Sequence, residues 1–121
     1  MAPARTNRQQ VLDGDCMIDG LISGRLYGGP ERRLDKVGKP YMVAKVRAPS
    51  AEGEMLFVNV IAFDDDVCLA MEQLHDGESI SVAGSVTPKV WTDKQGNVRP
   101  ALDMVAHRVM SARDAYQTQT N

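Results

Sequence analysis

Cysteine, histidine and aromatic residues are all scarce in this 121-residue chain, which holds two Cys, two His, one Trp and two Phe. Cys16 and Cys68 stand far apart without CxxC or Cys/His ligand spacing, so neither a zinc site nor a disulfide framework is expected, only two ordinary thiols in a reducing compartment. His75 and His107 have no Ser, Cys or carboxylate that the sequence places beside them. With no acid–base pair, phosphate-cradling loop or metal spacing, an enzyme is not expected, nor a cofactor or a metal. The acidic run Asp64-Asp65-Asp66 invites a metal, but reads better as a helix N-terminal cap with favourable charge against the helix dipole. No apolar run reaches the length of a membrane span, and the first ten residues resemble no signal peptide, so the expectation is a soluble protein of the cytoplasm. Net charge is close to neutral, −2 with a pI near 5.6, and composition alone gives no sign of a polyanionic partner.

What the chain does have is uneven charge and alternation. Its length suits one domain with room for a modest core. From Arg25 to Arg47 the bases Arg25, Arg32, Arg33, Lys36, Lys39, Lys45 and Arg47 are opposed only by Glu31 and Asp35. Asp64, Asp65, Asp66, Glu72, Asp76 and Glu78, by contrast, run without a base among them. A positive and a negative side are therefore expected, and the local field, not the net charge, decides what an anion meets. Residues 1–15 are polar and aperiodic and read as a mobile arm, 16–110 as the folded domain and 111–121 as a polar tail.

The strongest stretch runs from Ser79 to Met104. Ile80, Val82 and Val86 alternate inward, Gly84 interrupts the row where a strand bends or another backbone comes close, and Leu102 and Met104 resume the alternation on a return strand. Between them Thr92 to Asn97 supplies a turn, with Gly96 or Asn97 able to take a positive φ. The only tryptophan, Trp91, lies near this turn with Lys89, Lys94 and Arg99; it either caps the core or joins those cations in a surface for unstacked bases.

A first strand is expected from Cys16 to Leu26, where Ile18, Ile22 and Leu26 share a parity with Gly20 and Gly24, and Tyr27-Gly28-Gly29-Pro30 ends it. A basic loop, Glu31 to Pro40, leads to a second strand, Tyr41 to Arg47. There Met42, Ala44 and Val46 face the core, and Tyr41, Val43, Lys45 and Arg47 form either plain sheet surface or a binding face. Ala48 to Glu54 reads as a flap. In the third strand, Met55 to Phe63, Val58, Val60 and Ala62 point in while Phe57, Asn59, Ile61 and Phe63 point out. The two phenylalanines suit base stacking or, for Phe63, equally an oligomer contact. Val67, Ala70, Met71 and Leu74 mark the only helix, with Gly77 as its stop. A final strand continues from Ala101 to about Met110. This order is that of an all-β, five-stranded OB-fold barrel with one short helix between strands 3 and 4.

Four stretches add a family likeness: Leu21-Ile22-Ser23-Gly24-Arg25-Leu26 followed by Pro30-Glu31-Arg32-Arg33; Phe57 to Phe63; Asp76 to Gly84; and Trp91-Thr92-Asp93-Lys94-Gln95-Gly96-Asn97. Together they resemble the bacterial single-stranded DNA-binding proteins, the SSB family of OB folds, over about Met17 to Met110. The resemblance implies DNA-stacking aromatics at Phe57, Phe63 and Trp91, positions that outward parity also favours. The expected site is these three and Tyr41, with Arg32, Arg33, Lys36, Lys45, Arg47, Lys89, Lys94 and Arg99 tracking phosphates. The expected function is non-catalytic, largely sequence-independent binding of single-stranded DNA, or RNA, in replication, recombination or repair. A homodimer or homotetramer near the bacterial nucleoid is expected, with replication or recombination proteins as further partners. The alternative is an OB-fold protein-interaction subunit of a replication-restart assembly. Two departures stand out: Ala48 to Gly53 offers no counterpart to the family's aromatic after strand two, and the long Gly/Pro/Gln-rich linker with an acidic tip is missing. The chain thus looks like a short relative, of the primosomal replication protein type or carried by a mobile element.

Overall fold

A computed structural model describes residues 18–111 of the chain. Within them the alternating stretches form β1 (Asp19–Leu34), β2 (Pro40–Pro49), β3 (Met55–Ala62), β4 (Ser79–Thr92) and β5 (Val98–Ser111), with helix α1 (Asp65–Glu72) between β3 and β4. The strands close a barrel in the order β1-β2-β3-β5-β4, antiparallel throughout except for the parallel pair β3–β5. This is the five-stranded OB architecture that the element order predicts. Its interior is supplied by one parity from each strand. Leu26, Met42, Val46, Val58, Val60, Ala62, Ile80, Val82, Met104 and Ala106 are all buried, and α1 adds Val67 and Met71, with Leu74 just beyond it. Each large apolar side chain so removed from water contributes about 1.5–3 kcal/mol, which is what fixes the register of every strand.

Gly84 and Gly28 meet two different demands of the backbone. At Gly84, where the β4–β5 register shifts, a Cβ would stand 2.0 Å from the Val105 carbonyl oxygen, so the neighbouring backbone occupies the space a side chain would need. At Gly28 nothing crowds the position, but the backbone takes φ +76°, in the bulge that separates the Tyr27↔Lys45 and Glu31↔Val43 pairs.

That bulge corrects the expected first strand. Tyr27-Gly28-Gly29-Pro30 does not end β1; ladder pairing resumes at Glu31 and continues to Leu34↔Pro40, so most of the presumed basic loop is a hairpin arm. Ala48 to Glu54 is likewise no flap, because β2 runs to Pro49 and only Ser50 to Glu54 turns the chain. All three hairpin turns are built alike. Asp35, Ser50 and Asp93 each donate their amide to a carbonyl four residues on (Lys39, Glu54, Asn97), and their own carbonyls accept from Gly38, Gly53 and Gly96. Gly96, one of the two candidates, takes the positive φ, +85°.

Ile18 is 60% exposed and outside the core row. Helix α1 ends at Glu72 with Gln73 as its C-cap, so Gly77, with φ +83°, serves the turn into β4, where its amide donates to the Leu26 carbonyl. Asp64 holds the N-cap position without a side-chain capping bond, while Asp65 and Asp66 lie in the first turn, where negative charge suits the dipole. The basic and acidic segments touch: Arg32 pairs with Glu72 of α1, and Gly28 donates its amide to Asp76. Cys68 is half-buried and its thiol donates to the Ala62 carbonyl, whereas Cys16, the arm 1–15 and residues 112–121 lie outside the described residues.

Candidate nucleic-acid interface

Inward burial of one parity dictates what faces out. On β1, β2 and β3 the outer row consists of Arg25 and Tyr27, then Tyr41, Val43, Lys45 and Arg47, then Phe57, Asn59 and Ile61. Cross-strand register then sorts them. Arg25, Arg47 and Phe57 stand opposite one another, as do Tyr27, Lys45 and Asn59. At this end the Tyr27 and Phe57 rings meet edge to face, centroids 5.5 Å apart, and the Arg47 guanidinium sits 5.7 Å from the Tyr27 ring centre. At the other end Tyr41 and Phe63 lie 6.0 Å apart with Arg33 opposite Tyr41. Six residue steps along β2, about 20 Å at strand rise, separate Tyr41 from Arg47, and Lys45 lies between them.

Beside this wall runs a groove of about 480 Å³ at one end of the outer surface and a larger one, about 1020 Å³, to which all five strands contribute. The larger is lined on β1 by Tyr27 and Arg33, on β2 by Lys45, on β3 by Asn59 and Ile61, on β4 by Ser85, Thr87 and Lys89, and on β5 by Asp103 and Val105. The parity of Ser85, Thr87 and Lys89 continues to Trp91, 43% exposed, on the β4–β5 arm opposite Arg99. Trp91 therefore does not cap the core.

Sequence reading named Phe57, Phe63, Trp91, Tyr41 and eight cations, and the fold treats these differently. Lys45, Arg47 and Arg33 share the aromatic wall, and Lys89 enters the groove. Arg32 pairs across the ladder with Met42, so its side chain takes the opposite side of the arm, against Glu72. Lys36 and Lys94 occupy the two arm tips. Arg33 is bound to Glu31, which raises its pKa further. Lys89 is 2.6 Å from Asp103 and Arg99 is 3.0 Å from Asp93. Lys89 holds the Asp103 carboxyl below the usual carboxylate range, helped by the Asn59 amide. Asp93 is also held low, first by the Asn97 backbone N–H and then by Arg99.

Three groove residues were missed. Tyr27 was legible, since it follows inward Leu26 and must point out; its glycine neighbours disguised it as a terminator. Asn59 and Asp103 become a pair only through the parallel β3–β5 register, for which no local signal exists. His107 also gains an unforeseen neighbour, Ser85 Oγ, 3.4 Å from its Nε2. Among the described residues no three His, Cys, Asp or Glu side chains gather in a metal-holding group.

The residue pattern of the single-strand binding protein family matches residues 17–111. The chain belongs to that family. Its barrel is similar to the small single-stranded DNA-binding protein from Streptomyces coelicolor, with 18% identity, 78% of this chain and 94% of that chain covered, and a TM-score of 0.62. It is also similar to a mitochondrial single-stranded DNA binding protein from S. cerevisiae, with 14% identity, 79% and 95% covered, and a TM-score of 0.59. At these identities the likeness is one of fold, and the family barrel accounts for nearly the whole of both chains. No curated protein matches, and no helix among the described residues is long and apolar enough to cross a membrane.

Proposed function

We propose that this family member binds single-stranded DNA without catalysis and with weak dependence on sequence, unstacked bases lying on Phe57, Phe63, Tyr41, Tyr27 and Trp91 while Arg33, Lys36, Lys45, Arg47, Lys89 and Lys94 meet phosphates. The observation that carries this is the wall-and-groove surface itself, aromatic at both ends and cationic between, on a barrel of the single-strand binding protein family. Each base stacked on a ring contributes about 1–3 kcal/mol, and any base has a π face to offer. The proteins of similar fold are described as single-stranded DNA-binding, which supports the same ligand here. RNA offers the same bases and phosphates and is the nearest competitor. A role in replication, recombination or repair follows if single strands are the ligand, and would put the protein beside the bacterial nucleoid. Exposed Leu21, Val90 and Val98 suit contacts between copies, in a dimer or tetramer.

Titration with oligo-dT tests the proposal. Trp91 fluorescence should be quenched on binding, and affinity should fall steeply with salt; no quenching and no binding at low salt removes it. One observation favours a protein-interaction role instead. Arg32, Arg33, Lys89 and Arg99 already hold carboxylates, leaving fewer uncommitted charges for a polyanion. That role requires protein capture in the absence of any oligonucleotide binding.

A further inference from the structure

A carboxylate on the floor of a groove that takes a polyanion has the wrong sign for the backbone and the right chemistry for a base edge. Asp103 occupies such a place, lining the groove with its side chain 34% exposed. Its Oδ1 accepts from Asn59 Nδ2 at 3.1 Å and its Oδ2 from Lys89 Nζ at 2.6 Å, so neighbours on β3 and β4 hold both oxygens in position. An ionised carboxylate has about four lone-pair sites, and these two bonds leave each oxygen able to accept once more. The carboxyl is ionised at neutral pH, hence acceptor only; Lys89 lowers its pKa further, and the charge on Lys89 softens the repulsion of nearby phosphates.

Resting on the single-strand reading above, we propose that Asp103 discriminates among bases lying in the groove and favours guanine. Guanine alone presents two adjacent donors, N1–H and N2–H, to match two carboxylate oxygens, as a guanidinium does. Cytosine and adenine each offer one exocyclic amino donor and rank below it. Thymine turns carbonyl acceptors toward an acceptor, with N3–H as its one donor, and ranks last. The stacking rings remain indifferent to base, so the preference is confined to one nucleotide within a longer tolerant track.

The test uses the full chain and end-labelled thymidine tracts of about 16 nucleotides, the upper size for one such barrel, in which a single central nucleotide is dT, dC, dA, dG or deoxyinosine. Fluorescence anisotropy at low salt should show the dG tract binding about tenfold more tightly than all-dT, the scale of one bidentate contact. Deoxyinosine, which lacks the N2 amino group, should lose most of that gain, a comparison that needs only the wild-type chain. Asp103→Asn should abolish the dG advantage. Equal binding of dT and dG tracts overturns the inference and leaves single-strand binding intact, as does a dG advantage that survives both deoxyinosine and Asp103→Asn. Failure of every tract to bind withdraws the single-strand reading and this inference together.

Discussion

The barrel carries two hairpin arms whose tips are chemically the same and whose bodies are not. Asp35 to Lys39 and Asp93 to Asn97 form identical turns, each aspartate also accepting from two backbone amides of its own turn. The β1–β2 arm is fastened to the helix: Arg32 pairs with Glu72, and Arg32, Pro40, Tyr41 and Met42 share a crevice of about 220 Å³ with Asp65, Cys68, Leu69 and Glu72. Beyond Asp103 the β4–β5 arm, among the described residues, makes its side-chain polar contacts only within itself, and it leaves Trp91 on one face and Val90 and Val98 on the other open to solvent. Local sequence therefore decides the turn, while tertiary contact decides whether the arm is committed. The committed arm offers a wall; the uncommitted one presents Trp91 to solvent on the face it shares with Lys89.

The largest difference should come at the arm roots. Gly84→Ala places a methyl against the Val105 carbonyl, and neither backbone can yield without breaking the β4–β5 ladder. A loss of about 3 kcal/mol or more is expected. Gly28→Ala meets no atom and incurs only the cost of a left-handed backbone, about 1–2 kcal/mol. Urea unfolding of the two variants measures the gap; equal losses would mean that close approach at Gly84 is not what closes the barrel.

Next in size are effects on binding. Trp91→Ala on the open arm should weaken oligo-dT affinity by one stack, about five- to a hundredfold, with little change in urea midpoint because the indole is outside the core. On the fastened arm, Arg32→Ala should leave affinity and salt slope as they were and cost under about 1 kcal/mol of stability, the usual scale for an exposed ion pair. Lys45→Ala, between the aromatic clusters, should reduce the salt slope by about 0.7, one phosphate contact on a single strand. A salt slope that responds to Arg32 and not to Lys45 would reverse the assignment of the two sides.

The contrast between arms also explains what the sequence could reveal. Period-two alternation needs only a buried and an open face, so Val58-Val60-Ala62 and Met42-Ala44-Val46 revealed two of the strands directly, and the order of elements pointed to the barrel. Gly28-Gly29-Pro30 misled because its local chemistry is that of a terminator, yet pairing with Val43 through Pro40 overrides it. Leu74 keeps the helical spacing and is buried, but lies past the helix end, since burial rewards position and not conformation. Charge was the least legible property. Arg32 and Arg33 are adjacent and look equivalent, but alternation sends one to the helix and the other to the aromatic wall. Asp103 and Asn59 are 44 residues apart and meet only through the parallel pairing that closes the barrel.

The smallest expected effect distinguishes the two tips. Asp93 accepts from Gln95 and Asn97 amides and additionally holds Arg99, a partner that Asp35 lacks among the described residues. The Asn97 N–H, followed by Arg99, lowers the Asp93 pKa below its ordinary value of 3.8. The folded state thus binds this proton less readily than the unfolded one. Whatever stability the contacts contribute is fully present above the ordinary value and is lost as pH falls through the lower folded one. Carboxyl carbon shifts followed by NMR should place the Asp93 midpoint below the usual carboxylate range. Arg99→Ala should move it up only part of the way, because the backbone donor is the larger cause. Full return to the ordinary value on removing the guanidinium would assign the shift to the ion pair, and the two turns would then differ in kind.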